Sequence, residues 1–194
     1  QDWLEEELCQ LTFRLSVPSF FQINRAQTEV LYGVALDFAR LTGAETVLDL
    51  YCGIGAISLA LARRAGRVIG AEIVPQAVDD AMENARPNGI TNPEFFCGDA
   101  GAVPRKLDAE GVRPQVICVD PPRKGLASEV PAILAGMAPE RIVYVSCDPA
   151  TLARDVDRFV QLGYRPMQAQ GVDLFPRTAH VETVCLLSKS DLVK

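Results

Sequence analysis

The stretch "RIVYVSCDPATLARD" (141–155) sets a thiol, Cys147, between an apolar β-branched run and a helical pattern. Asp148 is a residue type that caps helix N-termini, and Pro149 suits a first helical position. A thiol there feels the positive end of the helix dipole, which lowers its pKa from about 8.5 and raises its thiolate fraction. Cys147 is therefore a candidate nucleophile, against the competing role of a small buried hydrophobe that free cysteines usually fill. That second role is expected for Cys97, Cys118 and Cys185, which lie inside apolar runs, while Cys52 beside a glycine turn is expected to offer backbone to a ligand. Carboxylates form a second set: Asp49 in "VLDLYCGIGAISLALA" (47–62), Glu72, Asp99 and Asp120 of "DPP" each close an apolar run.

These residues need elements to gather them. Strand-like runs at 45–51, 67–73, 93–99, 115–122 and 141–147 alternate with helical patterns at 56–65, 75–86, 128–137 and 149–163, and a longer helical pattern spans 24–43. Strands apolar on both faces, alternating with helices, predict a parallel sheet covered on both sides. The runs 164–175 and 180–189 are separated only by "PRTA", too short for a crossover helix, so that pair is expected to be antiparallel. This outline, a doubly wound α/β sheet of seven mainly parallel strands with an antiparallel C-terminal hairpin, resembles the class I S-adenosylmethionine-dependent methyltransferase fold more than a dinucleotide-binding one.

The four strand-end acids would meet at the carboxyl edge of the sheet, where open α/β folds bind ligands. Gly53 and Gly55 give the tight turn that lets backbone approach a ligand, although Ser58 stands where a full dinucleotide fingerprint has its third glycine. Glu72 lies about 20 residues on, where a carboxylate accepts from a ribose diol. Several carboxylates repel a pyrophosphate and attract a sulfonium bearing an ammonium group, so charge favours S-adenosyl-L-methionine as the cofactor. The competing role for each acid is a helix cap or a solvated strand end.

At 194 residues the chain fits one domain, 1–194, with 1–23 as an N-terminal lead-in. Its 48% hydrophobic and 23% charged residues are ordinary for a globular protein, and no run approaches the roughly 18 apolar residues of a membrane span. The acidic start lacks the pattern of a secretory signal, and six scattered cysteines form no C-x-x-C pair, so a cytoplasmic chain with reduced thiols and no metal is expected. The net charge of −6 gives no general pull toward a polyanion, and Arg63, Arg64 and Arg67 are read as a solvated helix end.

"SCDPATLARD", "PSFFQIN" (18–24), "LDLYCGIG", "DPPRKG" (120–125) and "HVETV" (180–184) together resemble, in order, the motifs of the RNA uracil-5 methyltransferases, over about residues 11–188. The resemblance implies methylation of C5 of a uridine in RNA, with 23S rRNA the expected substrate and tRNA the other. It makes Cys147 the nucleophile that adds to C6, Glu182 the base that removes the C5 proton, and Asp120 a further catalytic group. Phe20, Gln22 and Tyr51 would join Asp49, Gly53, Gly55, Glu72, Asp99 and Asp120 around the cofactor; Arg123 and His180 would touch the substrate. Family members usually carry asparagine where this chain has Asp148. Full-length relatives carry an N-terminal OB-like domain, so this chain is expected to be the catalytic domain alone, a monomer that binds RNA weakly by itself. Two alternatives stay open: a class I methyltransferase acting elsewhere on a base without covalent catalysis, for which "DPP" serves as the key motif, and a cofactor-binding module without activity.

Overall fold

A computed structural model describes residues 3–16 and 21–192. The chain opens with β1 (Trp3–Leu8) and β2 (Leu11–Ser16), an antiparallel hairpin where a lead-in was expected. Its two-residue turn, Cys9 and Gln10, has φ of 53° and 60°, the left-handed pair whose twist suits a hairpin. Leu8, Leu11 and Phe13 are buried, which docks the hairpin on the main core.

The main sheet then unfolds in order. α1 (Arg25–Ala39) is followed by β3 (Thr46–Leu50), α2 (Ala56–Ala62), β4 (Arg67–Glu72) and α3 (Pro75–Ala85). Next come β5 (Pro93–Cys97), α4 (Ala102–Ala109), β6 (Val116–Val119), α5 (Val130–Gly136), β7 (Arg141–Ser146), α6 (Pro149–Gln161), β8 (Tyr164–Val172) and β9 (Glu182–Lys189). The expected helix 24–43 stops early because Arg40 turns left-handed at φ 49°. α4 had no counterpart in the sequence reading; Pro104 in its first turn hides its periodicity.

The spatial order is β5-β4-β3-β6-β7-β9-β8, with β3 to β7 mutually parallel. The last strand, β9, inserts antiparallel between β7 and β8, so its start lies beside the end of β7: Ser146 pairs with Thr183. β6 is buried at every position and β3 at all but its first, as central strands covered on both faces must be. One apolar layer gathers α1, α2 and the hairpin; the other gathers α4, α5 and α6. Two asparagines of the α3 end fasten the hairpin as if they were a strand. Asn84 Oδ1 accepts from Arg14 N at 2.7 Å, and Asn88 both accepts from Thr12 N at 2.9 Å and donates to Thr12 O at 2.7 Å. No helix among the described residues is long and apolar enough to cross a membrane.

Candidate active site

The carboxyl ends of β3, β4, β6 and β7 and the start of β9 surround a cleft of about 750 Å³. Of the residues singled out in the sequence, Gln22, Tyr51, Gly53, Glu72, Asp99, Asp120, Arg123, Cys147 and Glu182 line it. Asp49 instead lines an adjoining recess of about 60 Å³, which it shares with Gln22, Tyr51, Gly53 and Asp120. Gly55 lines neither cavity. It is the N-cap of α2 at φ 84°, and a Cβ there would lie 3.1 Å from that of Ala81, so it packs closely against α3. Phe20 lies outside the described residues. His180 stands on the exposed connector before β9, where Arg123 Nη2 approaches both ring nitrogens at 3.0 Å.

Cys147 is fixed by its neighbours. The Ser146 hydroxyl accepts from Asp148 N at 3.1 Å and donates to Asp148 O at 2.9 Å, closing a tight loop around the cysteine. Asp148 caps α6, its Oδ1 accepting from Ala150 N at 2.9 Å and Thr151 N at 3.0 Å. The electrostatic expectation is corrected, however. Burial, then Glu182, then Asp120 push the half-buried Cys147 thiol above its ordinary pKa, and Arg123 opposes them. A rule about one helix end is outweighed here by burial, together with two carboxylates that other elements bring in.

The acids respond to the same crowding. Asp120 is pushed up to about 8 by burial and by Glu182 and Asp49, and Asp49 to about 7 by burial, against hydrogen bonds that favour its ionised form. Glu182 is 4% exposed and also raised by burial, with Arg123 opposing. Ser58, the residue in the third-glycine position, is fully buried and donates to Asp49 Oδ2, while Asp49 Oδ1 has no hydrogen-bond partner. Glu72 orders the glycine turn: Oε2 accepts from Gly53 N at 3.1 Å, and Oε1 from Ile73 N and Val74 N. Asp99 Oδ1 accepts from Gly101 N and Ala102 N at the start of α4, which holds its carboxyl below the usual range. Its capping role coexists with a place in the cleft wall.

Sequence reasoning missed Glu129 and Phe175, which also line the cleft; Phe175 sits in "DLFPRTAH", where an aromatic before proline is the only local sign. It also took Cys97 for a buried residue; Cys97 is exposed because β5 is an edge strand. Cys118 and Cys185 are buried as expected. Arg64 and Arg67 pair with Asp37 and Glu94, and Arg63 donates to Cys9 O, so they form no open basic patch. Among the described residues no cluster of His, Cys, Asp and Glu is placed to hold a metal ion.

Comparison with known proteins bears on this arrangement. The chain is 50% identical over 187 residues to uncharacterized RNA methyltransferases of Lactiplantibacillus plantarum and of Halalkalibacterium halodurans, covering 96% of this chain. It spans 41% of the length of those relatives. The Pyrococcus abyssi tRNA (uracil-54, C5)-methyltransferase, solved in complex with S-adenosyl-L-homocysteine, superposes with a TM-score of 0.80 at 31% identity, over 96% of this chain and 44% of that one. M. jannaschii TYW2, solved with AdoMet, shares the fold at 14% identity and a TM-score of 0.64, over 97% of this chain and 87% of that one. The fold is thus that of the class I S-adenosylmethionine-dependent methyltransferases. The model of the tRNA (uracil-5-)-methyltransferase family matches residues 1–101 and 105–190, and the chain belongs to that family.

Proposed function

We propose that this chain carries the catalytic machinery for S-adenosylmethionine-dependent methylation of C5 of a uridine in RNA. The observation that carries the reading is that Cys147 and Glu182, distant in sequence, line one cleft. The cleft also suits the cofactor's charge: besides Asp120, whose pKa is pushed up to about 8, four acidic side chains line it (Glu72, Asp99, Glu129, Glu182) against two basic ones, Arg123 and Lys124, and a buried acceptor on Asp49 stands unpaired in the recess behind. Tyr51, Gly53 and Gln22 line both spaces and would hold the cofactor with Glu72 and Asp99.

Uracil C5 is a weak nucleophile because its electrons are conjugated with a ring carbonyl. The Cys147 thiol first gives up its proton to solvent; the thiolate then adds to C6, and that electron pair moves onto C5 and its adjoining carbonyl as an enolate. When bound, the cofactor supplies an electrophilic methyl group. The methylated C5 still carries its proton; the Glu182 carboxylate takes it, the C5–C6 double bond re-forms, and sulfur leaves as thiolate. Asp120 and Arg123, which line the same cleft, are assigned to the uracil edge and the developing negative charge. Burial, Glu182 and Asp120 disfavour the Cys147 thiolate, and Arg123 is the neighbour that favours it.

The test is the full-length enzyme with cofactor and 5-fluorouridine RNA, with 23S rRNA, the expected substrate, and tRNA offered in parallel. Fluorine cannot leave as a proton, so a stable adduct maps by mass to the Cys147 peptide, and Cys147→Ala gives neither adduct nor methyl transfer. Methyl transfer surviving in Cys147→Ala refutes the covalent mechanism. By itself the acidic chain is expected to be monomeric and to bind RNA weakly and salt-dependently; tight, salt-insensitive binding in a filter assay contradicts this. A role in RNA modification accords with a cytoplasmic setting.

A further inference from the structure

Asp155, on α6 beyond Cys147, is fully buried and has no part in the chemistry above. Its carboxylate accepts from Leu126 N and the Tyr144 hydroxyl at 2.8 Å each, from Arg154 Nε at 3.0 Å and from Arg158 Nη1 at 2.9 Å. Both arginines then reach on to the loop after β6. Arg154 Nη2 donates to Lys124 O at 2.8 Å and to Leu126 O at 3.4 Å, and Arg158 Nη1 to Leu126 O at 3.4 Å. The Thr151 hydroxyl donates to Arg123 O at 3.0 Å. One helix therefore holds the loop backbone at 123, 124 and 126. Gly125 has φ +71°, and a Cβ there would lie 2.5 Å from both Arg154 Nη2 and Asp155 Oδ2, so glycine lets the loop lie this close. Tyr144, on the strand that leads to Cys147, joins the same carboxylate.

We propose that Asp155 is a positioning residue: it fastens the 121–126 loop to the helix that Cys147 precedes, so that Arg123 and the Cys147 sulfur are held as one unit at the cleft. The desolvated carboxylate favours one arrangement of this joint, because losing it leaves the buried Leu126 N–H and Tyr144 hydroxyl without their acceptor. The charged groups that act on the Cys147 thiol are Glu182 and Asp120, which raise its pKa, and Arg123, which lowers it. Neither carboxylate shares a hydrogen bond with Asp155, so Asp155 acts on the thiol through Arg123.

The inference rests on the reading of Cys147 as the nucleophile, but its test does not use turnover. Alkylation of Cys147 by iodoacetamide is followed against pH in the full-length protein, with mass spectrometry assigning the modified peptide. In Asp155→Asn the pH midpoint rises, and the rate below the midpoint falls about threefold as Arg123 drifts from the sulfur. In an Arg123→Ala background the same substitution produces no further shift. An unchanged midpoint in folded Asp155→Asn, or a shift that persists without Arg123, overturns the proposal. Should Asp155→Asn not fold, Arg154→Gln removes the donor to Lys124 O and is read by the same two criteria. The thiol titrates whether or not it attacks a ring, so failure here is distinct from failure of Cys147→Ala to abolish methyl transfer.

Discussion

Replacing Asp49 by asparagine should make the protein more stable at neutral pH and flatten its pH dependence. Asp49 is 1% exposed, one of its oxygens has no partner, and burial moves its carboxyl from 3.8 to about 7. Between those values the native state keeps a proton that the unfolded chain has already released. Unfolding therefore becomes easier as pH rises through this window, and the folded state is most favoured below it. The full displacement corresponds to at most about 4 kcal/mol, with a slope of up to about 1.4 kcal/mol per pH unit. Asparagine keeps the acceptor for the Ser58 hydroxyl but has no charge to desolvate. It also relieves Asp120, whose own rise includes a contribution from Asp49. Urea unfolding of both proteins at pH 5, 6, 7 and 8, without ligand, measures the effect. From pH 5 to 7 the wild type should lose up to about 3 kcal/mol relative to the variant. Parallel curves, within about 0.5 kcal/mol, would show that Asp49 is solvated or already paired and would refute the argument.

Glu182→Gln should slow turnover by about 10²- to 10⁴-fold and leave a methylated RNA–protein adduct visible on denaturing gels, since the step it blocks follows methyl transfer; a wild-type rate would remove Glu182 from the mechanism. Phe13→Ala, at a fully buried hairpin position packed 5.9 Å from the Phe21 ring, should cost about 3–5 kcal/mol in chemical denaturation. A loss below about 1 kcal/mol would mean that the hairpin is not part of the folded core.

The parallel strands were legible because their Val, Ile and Leu runs are buried on both faces, and each carries its own signal. α4 was not, since "AVPRKLDA" is short and interrupted by Pro104, although a helix cap was the competing role given to Asp99, which is the acceptor that starts it. In the hairpin the alternation of Leu11 and Phe13 was a real but brief cue beneath the acidic run of β1. The gathering of carboxylates at one sheet edge followed from strand ends alone. The neighbourhood of Cys147 did not, because it depends on β9 entering between β7 and β8. Burial raises the thiol's pKa where the helix end alone would lower it, and that same insertion adds to the rise by bringing Glu182.

Cys147 directly follows Ser146, and Glu182 directly precedes Thr183, the two residues that pair across β7 and β9, while the connector 173–181 carries Phe175 and His180 over the cleft and is itself anchored by the buried Leu174. The pairing of Ser146 with Thr183 fixes the backbone beside both groups, whatever the exposed part of that connector carries. The centre of the cleft is thus framed by the sheet, and its rim by an exposed strap that starts from a core anchor.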